Sequence, residues 1–226
     1  AYTAMTKDFE DDNVNAHLHK KWELVDKFKS SASEKRYYNH ISEAIYKQIK
    51  LGVTSGLTFI DCDPVSEFRA LNAAKKAQSD WAEQFTLKIA CQTLKGVLEP
   101  EARKWFDRSI GYCDVIGGLP GKDKGREEEH LDVLFSAARE CNKRVHVHVD
   151  QLNSADEKET ELLARKTIEY NMEGMVTAVH GISIAAHTKS YRDELYKLCL
   201  DAGLSFVSCP TAWIDHRRTE VMAPSH

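Results

Sequence analysis

The sequence predicts an α/β protein built as a (β/α)8 TIM-type barrel, with about seven of the eight strands present in this chain. Short β-branched runs alternate with amphipathic segments, which implies parallel strands joined by helices. No glycine-rich phosphate loop follows the first strand, so a doubly wound sheet is disfavoured. Polar residues suited to catalysis fall at the carboxyl ends of several strands, as they do in barrels. We therefore expect residues 1–226 to form a single, incomplete barrel domain.

The predicted strands are short and regularly spaced. They are Val14–Lys20, Thr54–Asp61, Phe85–Gln92, Cys113–Pro120, Arg144–Asp150, Met175–Gly181 and Leu204–Pro210. After Pro210 the sequence shows no eighth strand-like run. Because an open barrel would leave two unpaired strand edges, we expect the sequence to be a truncated piece of a longer protein.

Amphipathic segments fill the gaps between the strands. The clearest helix signal places Ile41, Ile45 and Ile49 four residues apart, in a charged region from Trp22 to Lys50 that Gly52 closes. Further helices are predicted at Phe68–Gln84, Glu99–Ile110, Glu127–Asn142, Asp156–Tyr170 and Ser190–Ala202.

Charge and cysteine content narrow the class of protein. A net charge of -4 with well-mixed signs offers no basic face for nucleic acid and no polybasic patch for a membrane surface. The six cysteines are scattered without a C-x-x-C pair, which predicts reduced thiols and a cytoplasmic protein. We expect a small-molecule ligand, no nucleic-acid or membrane partner, and leave a homo-oligomer open.

The stretch Arg144–Gln151 reads R-V-H-V-H-V-D-Q and has a strict period of two. A strand with this pattern places its valines on one face and His146, His148 and Asp150 on the other. Two imidazoles and a carboxylate on one side of a strand are typical of a metal centre. A lone histidine is more often structural, and His146 is interpreted in that way.

Other strand ends carry polar groups of the same kind. His17 and His19 alternate in the first run, Gln92 ends the Phe85–Gln92 run, and His180 lies near the end of Met175–Gly181. Asp61 and Asp63, in D-C-D-P, either line a pocket or cap the next helix.

Two long stretches resemble a known family. C-D-V-I-G-G-L-P-G-K-D-K-G-R-E-E-E-H-L-D-V-L-F-S-A-A-R-E followed by V-H-V-H-V-D-Q, and then L-L-A-R-K-T-I-E-Y-N-M-E-G-M-V-T-A-V-H-G, resemble the cytosine deaminase branch of the amidohydrolase superfamily. The resemblance runs from about Val14 to Arg218, and the branch includes the N-alkylammelide amidohydrolases. It implies a (β/α)8 barrel with a small β-sandwich built from both chain ends, of which neither flank is present.

The resemblance also implies a mechanism. One divalent metal ion, zinc or iron, activates water to attack a ring carbon of a pyrimidine- or triazine-like heterocycle and cleave a C–N bond. On this basis His17, His19 and His148 resemble the metal ligands. His180 resembles the histidine that touches the bound water or substrate, and Gln92 falls near the glutamine that binds the substrate ring.

The motifs depart from the family pattern in ways that leave alternatives open. The first strand can also be aligned with Asn15 and His17 at the ligand positions and Lys20 on the family's catalytic lysine. Gln151 stands where a deaminase has glutamate, and an amide cannot shuttle protons. That change favours the N-alkylammelide hydrolases, or a catalytically impaired barrel that binds a metal or a heterocycle without turnover. The aspartate ligand after the eighth strand is absent with that strand.

Overall fold

A computed structural model describes residues 18–209, with side chains for residue 23 and residues 25–209. Its six strands form one parallel sheet in sequential order. The strands are β1 (Ser55–Asp61), β2 (Thr86–Gln92), β3 (Val115–Gly118), β4 (Arg144–Val149), β5 (Val176–His180) and β6 (Ser205–Val207). The helices are α1 (Leu18–Ser31), α2 (Glu34–Lys50), α3 (Arg69–Asp80), α4 (Pro100–Ser109), α5 (Glu127–Glu140), α6 (Glu159–Glu169) and α7 (Lys189–Asp201). The described residues thus form a partial (β/α)8 barrel with a helix after each of the first five strands.

The registers bring the carboxyl ends of the strands to one edge. The last residues of β1 and β2 are partners, Asp61 with Gln92, and the end of β4 pairs with the end of β5 through Val149 and His180. Because all strands run in the same direction, residues just beyond these ends share a single rim.

Strand β4 shows how the alternating pattern is used. Val145, Val147 and Val149 are completely buried in the core between the sheet and the helices. His146 and His148 lie half-buried on the opposite, concave face. The predicted division of the strand into a valine face and a histidine face is therefore correct for these five residues.

The Gly117-Gly118 pair has a steric cause. A Cβ atom added at Gly118 would lie 2.1 Å from Cδ1 of Leu134 in α5, and one added at Gly117 would lie 2.9 Å from the carbonyl oxygen of Cys91 in β2. Helix α5 and strand β2 can approach β3 this closely only because both positions lack a side chain.

One prediction about the N-terminal part needs correction, and another gains detail. Residues 14–17 of the expected strand Val14–Lys20 lie outside the described residues, but Leu18–Lys20 are helical and begin α1. No glycine or proline interrupts α1, so extending the helix costs little and overrides a short period-two pattern. The charged region after Trp22 divides into two helices at Ala32, and the Ser33 side chain caps α2 by accepting a hydrogen bond from the Arg36 N–H at 3.2 Å.

The remaining differences concern the ends of elements and the number of strands. Six strands lie within residues 18–209, where the sequence predicts six of its seven. Within the same residues no helix is long and apolar enough to cross a membrane.

Candidate active site

A cavity of about 400 Å³ opens on the concave face at the carboxyl ends of the strands. Tyr37 and His40 of α2 and Thr58 of β1 contribute polar groups to its lining. The other polar lining residues lie at or just past four strand ends, and they are Asp61, Gln92, His148, Gln151 and His180. Four of the predicted site residues, Gln92, His148, Gln151 and His180, therefore share this cavity.

His148 and His180 form the centre of the polar lining. His148 Nδ1 and His180 Nε2 share a hydrogen bond of 3.0 Å, and the ring of Phe59 packs against His148 with centroids 4.2 Å apart. Burial, followed by the proximity of His180 and His146, lowers the pKa of His148 to about 3, and burial lowers the pKa of His180 to about 4. Both imidazoles are therefore neutral at neutral pH.

The shared hydrogen bond couples the tautomers of the two rings. One ring donates in this contact and the other accepts. Because a neutral imidazole has one donor and one acceptor nitrogen, the ring that donates here has an acceptor as its other nitrogen, and the ring that accepts here has a donor as its other nitrogen. His180 Nδ1 is buried without a hydrogen-bond partner. The backbone of His180 has φ +82°, a left-handed conformation that costs free energy in a residue with a side chain and is common at functional sites.

Gln92 extends the polar lining along the first two strands. Its Nε2 donates a hydrogen bond of 3.1 Å to Asp61 Oδ1, while its Oε1 is buried without a partner. On the far side of Asp61, the Lys29 ammonium lies 3.4 Å from Oδ2 and 2.6 Å from Asp63 Oδ2. Lys29 is completely buried. Burial alone would lower its pKa, but the carboxylates of Asp61 and Asp63 raise it above the usual value.

The two carboxylates of D-C-D-P have different roles. Asp63 Oδ1 accepts hydrogen bonds from the N–H groups of Val65 and Ser66, so Asp63 fixes the turn after β1. Asp61 lines the cavity. The sequence left a pocket-lining role and a helix-capping role open for both acids, and the structure gives the first to Asp61 and a related, turn-fixing role to Asp63.

Asp150 was expected beside the histidines, and that expectation is wrong. β4 ends at Val149, and Asp150 has φ +53°, which turns the chain away from the strand direction. Its carboxylate accepts hydrogen bonds from the N–H groups of Glu159 at 2.8 Å and Thr160 at 3.2 Å, at the start of α6. Asp150 therefore satisfies backbone donors at the N-terminus of α6.

Gln151 lies at the junction of two cavities. It lines the cavity that contains His148 and His180, and also a neighbouring one of about 600 Å³. Leu119 lines both as well, and the second cavity continues toward Leu152 and Leu162. The two cavities therefore adjoin at Gln151 and Leu119.

The predicted N-terminal ligands cannot be placed in the site. His17 and Asn15 lie outside the described residues, and the side chains of His19 and Lys20, at the start of α1, are also outside them. Among the side chains that the structure does describe, no three His, Cys, Asp or Glu residues are grouped so as to hold a metal ion. The neutral imidazoles of His148 and His180 nevertheless have the chemistry that zinc or iron requires of a ligand.

Sequence reasoning did not identify Lys29. Its partners Asp61 and Asp63 lie 32 and 34 residues further along the chain, and nothing in the pattern of α1 distinguishes this lysine from its exposed neighbours. His130 is fully buried, with Nδ1 2.6 Å from Asp123 Oδ2 and Nε2 accepting a hydrogen bond from the Leu119 N–H.

Relatives of known sequence and structure agree with this architecture. No family model matches the sequence. The chain is 46% identical over 215 residues to an uncharacterized protein of Haemophilus influenzae, covering 94% of this chain and 78% of that protein. It is 27% identical over 186 residues to the N-isopropylammelide isopropyl amidohydrolase of Pseudomonas sp. strain ADP, covering 81% of this chain and 46% of that enzyme.

Solved structures show the same fold. The structure matches 5-methylcytosine deaminase from Klebsiella pneumoniae with 5-fluorocytosine, with a TM-score of 0.84 and 24% identity, over 92% of this chain and 52% of that one. It matches N-isopropylammelide isopropylaminohydrolase from Burkholderia multivorans with a TM-score of 0.65 and 23% identity, over 71% and 42%. The chain spans about half the length of these enzymes. The predicted fold class and family resemblance are confirmed.

Proposed function

We propose that this chain, which resembles N-isopropylammelide hydrolase in sequence and cytosine deaminase in fold, belongs to the amidohydrolase superfamily and forms part of a metal-dependent hydrolase. The proposed reaction is cleavage of a C–N bond, by deamination or dealkylamination, in a pyrimidine- or triazine-like heterocycle. The proposed partner is therefore a small-molecule substrate, and the proposed cofactor is one zinc or iron ion.

The observation that supports the proposal most is the contact between His148 and His180. Two neutral imidazoles, 3.0 Å apart, occupy the ends of adjacent parallel strands inside a cavity of about 400 Å³. Core histidines are normally satisfied by backbone or carboxylate partners, as His130 is. His180 instead keeps a buried nitrogen without a partner, as expected for a group that meets a ligand.

Each residue would have a separate role in this reaction. His148, together with His17 and His19 or with His17 alone, would hold the metal ion. A bound ion would lower the pKa of a water molecule and polarise the ring carbon. His180 would hold or transfer a proton at Nδ1 in its neutral form. Gln92 and Gln151 would bind the ring by hydrogen bonds, and Lys20 would supply a cationic donor.

Gln151 helps to distinguish between deamination and dealkylamination. Its amide lines the cavity beside His148 and His180 but cannot accept and release a proton. This favours dealkylamination, in which a substituted amine leaves and a substituent could extend past Gln151 into the second cavity. The same observation supports a second candidate function, binding of a metal or heterocycle without turnover.

Metal content and amine release test the proposal together. Freshly purified full chain is analysed for iron and zinc, beside His148→Ala and the control His146→Ala, which alters the same face of β4 two residues earlier. We expect near-stoichiometric metal in the protein and in His146→Ala, and its loss in His148→Ala. Release of ammonia or alkylamine from cytosine and N-isopropylammelide would then establish turnover.

The possible results separate the two candidates. Metal without amine release supports the binding function. Equal metal content in His148→Ala and the unmodified protein would contradict the role assigned to His148, and absence of metal from all three would remove the metal-dependent mechanism.

A further inference from the structure

The strand ends of β1 and β2 carry a polar chain of which the proposed reaction uses only the last member, Gln92. It runs from the Lys29 ammonium through the Asp61 carboxylate to the Gln92 amide, over contacts of 3.4 and 3.1 Å. All three side chains are buried, with exposed fractions of 0%, 2% and 5%. A charged group buried so deeply is costly unless it is paired and hydrogen-bonded, so the direction of each contact matters.

The contacts determine which way the Gln92 amide faces. Oδ1 of Asp61 lies 3.1 Å from the terminal atom of Gln92, and a carboxylate only accepts hydrogen bonds. If the amide were turned by 180°, two acceptor oxygens would face each other at that distance. Lys29, a donor only, occupies the other oxygen of Asp61. The NH2 group of Gln92 is therefore directed at Asp61.

With its NH2 group engaged, Gln92 presents Oε1 as its remaining polar atom. This oxygen is buried and has no hydrogen-bond partner, in a residue that lines the cavity with His148 and His180. Leaving a buried acceptor unpaired costs free energy, which an incoming N–H donor would recover.

We infer that Asp61, backed by Lys29, is a positioning residue that holds the Gln92 carbonyl toward the cavity, so that the site selects heterocycles presenting a ring N–H. The ligand class depends on the proposed function, whereas the orientation of the amide does not. Ligands with only an acceptor or an N-alkyl group at that ring position would leave Oε1 unpaired and bind more weakly.

NMR of the side-chain amide tests the orientation without any ligand. In 15N-labelled full chain, the Gln92 NH2 signals are assigned by their disappearance in Gln92→Leu. We expect slow hydrogen exchange in the unmodified protein and at least about tenfold faster exchange in Asp61→Asn, in which the amide can turn. Asp63→Asn is the matched control, because Asp63 also binds Lys29, at 2.6 Å, while its other oxygen accepts the N–H groups of the turn after β1.

A purely structural role for Asp61 makes a different prediction. It would make Asp61→Asn and Asp63→Asn alike, with both lowering the urea midpoint and neither changing the exchange of the Gln92 amide. That result, or equal exchange in the unmodified protein and Asp61→Asn, would overturn the inference.

Ligand discrimination tests the selection of N–H donors. Dissociation constants are measured by calorimetry for cytosine and for 1-methylcytosine, which lacks the ring N–H. We expect the unmodified protein and Asp63→Asn to prefer cytosine by at least about tenfold, and Asp61→Asn and Gln92→Leu to lower the ratio to within about threefold. Leucine has a similar size, so the steric effect of the methyl group is retained in that comparison.

The two experiments separate this inference from the proposed function. An unchanged ratio in Gln92→Leu overturns the selection of N–H donors even if the protein turns over its substrate. Absence of cytosine binding in every variant overturns that selection too, while the exchange result still decides the orientation of the amide. Absence of metal and amine release affects only the proposed reaction.

Discussion

Two groups of buried or half-buried acids lie at the same rim, and their pKa values shift in opposite directions. After β1, Asp63 contacts the ammonium of Lys29, and although burial would raise its pKa, the charge and hydrogen bond of Lys29 lower it. After β4, Asp150, Glu157 and Glu159 accept backbone N–H groups instead, and burial raises the pKa of each. Comparable burial thus gives opposite shifts, and a neighbouring cation decides the sign.

This difference separates the functions of the two regions. After β1, the lowered pKa of Asp63 favours its charged form, and Asp61 contacts the neighbouring Gln92 amide. The acids after β4 accept hydrogen bonds from backbone N–H groups in the loop and at the start of α6. A protonated acid still has an oxygen that can accept such a hydrogen bond. Substitutions of Lys29, Glu159 and Asp150 test this comparison, and we expect their effects on stability to decrease in that order.

Removing the cation should have the largest effect. Lys29→Met leaves Asp61 and Asp63 buried with an uncompensated negative charge, and we expect a loss of about 3–5 kcal/mol in the free energy of unfolding at pH 7. Urea unfolding followed by circular dichroism measures it. Lys27→Met, on the exposed side of the same helix, should change stability by less than about 0.5 kcal/mol. A Lys29→Met protein as stable as the Lys27→Met control would show that the ion pairs do not support the fold.

Removing Glu159, whose pKa is strongly raised, should change the pH dependence of the free energy of unfolding. The pKa of Glu159 is raised from 4.5 to about 8 by burial, so between these pH values the folded protein holds a proton that the unfolded chain has released. Stability contributed by this proton is complete below about pH 4.5 and is lost as the pH rises through about 8, by at most roughly 1.4 kcal/mol per pH unit. In Glu159→Gln this decline should disappear, while the amide oxygen can still accept the Asp150 N–H.

Urea midpoints between pH 5 and pH 9 measure the difference between Glu159→Gln and the unmodified protein. Glu161→Gln, on the same helix, is the control, because a hydrogen bond from Arg165 lowers the pKa of Glu161. The two variants should therefore diverge as the pH rises. Parallel pH profiles for Glu159→Gln and the unmodified protein would show that Glu159 is ionised in the folded state at neutral pH.

The same comparison shows what the sequence could predict. The strand order and the two faces of β4 follow from periodicity, because alternation directly records which side of a strand meets the core. The placement of Gln92, His148 and His180 at one cavity follows from parallel strands ending at one rim. Such features depend on local pattern and on the general geometry of the fold.

The features that failed depend on single backbone angles or on distant contacts. The φ of +53° at Asp150 ends the alternation one residue earlier than the pattern suggests. The helical start at Leu18–Lys20 contradicts a period-two pattern too short to compete with the helix that follows. The burial of Lys29 is determined by Asp61 and Asp63, which no spacing in α1 reveals.

Removing the charge of Asp150 should have the smallest effect and should distinguish its role from that of His148. An asparagine side chain can still accept one N–H at the start of α6 and tolerates positive φ, so we expect Asp150→Asn to lose only about 1 kcal/mol of stability. Because the carboxylate faces α6 and not the histidines, the metal content should equal that of the unmodified protein. Urea unfolding and elemental analysis of the same sample measure both, with His148→Ala beside it, for which we expect metal loss. Loss of metal from Asp150→Asn would contradict the assignment of this acid to the backbone and return it to the site.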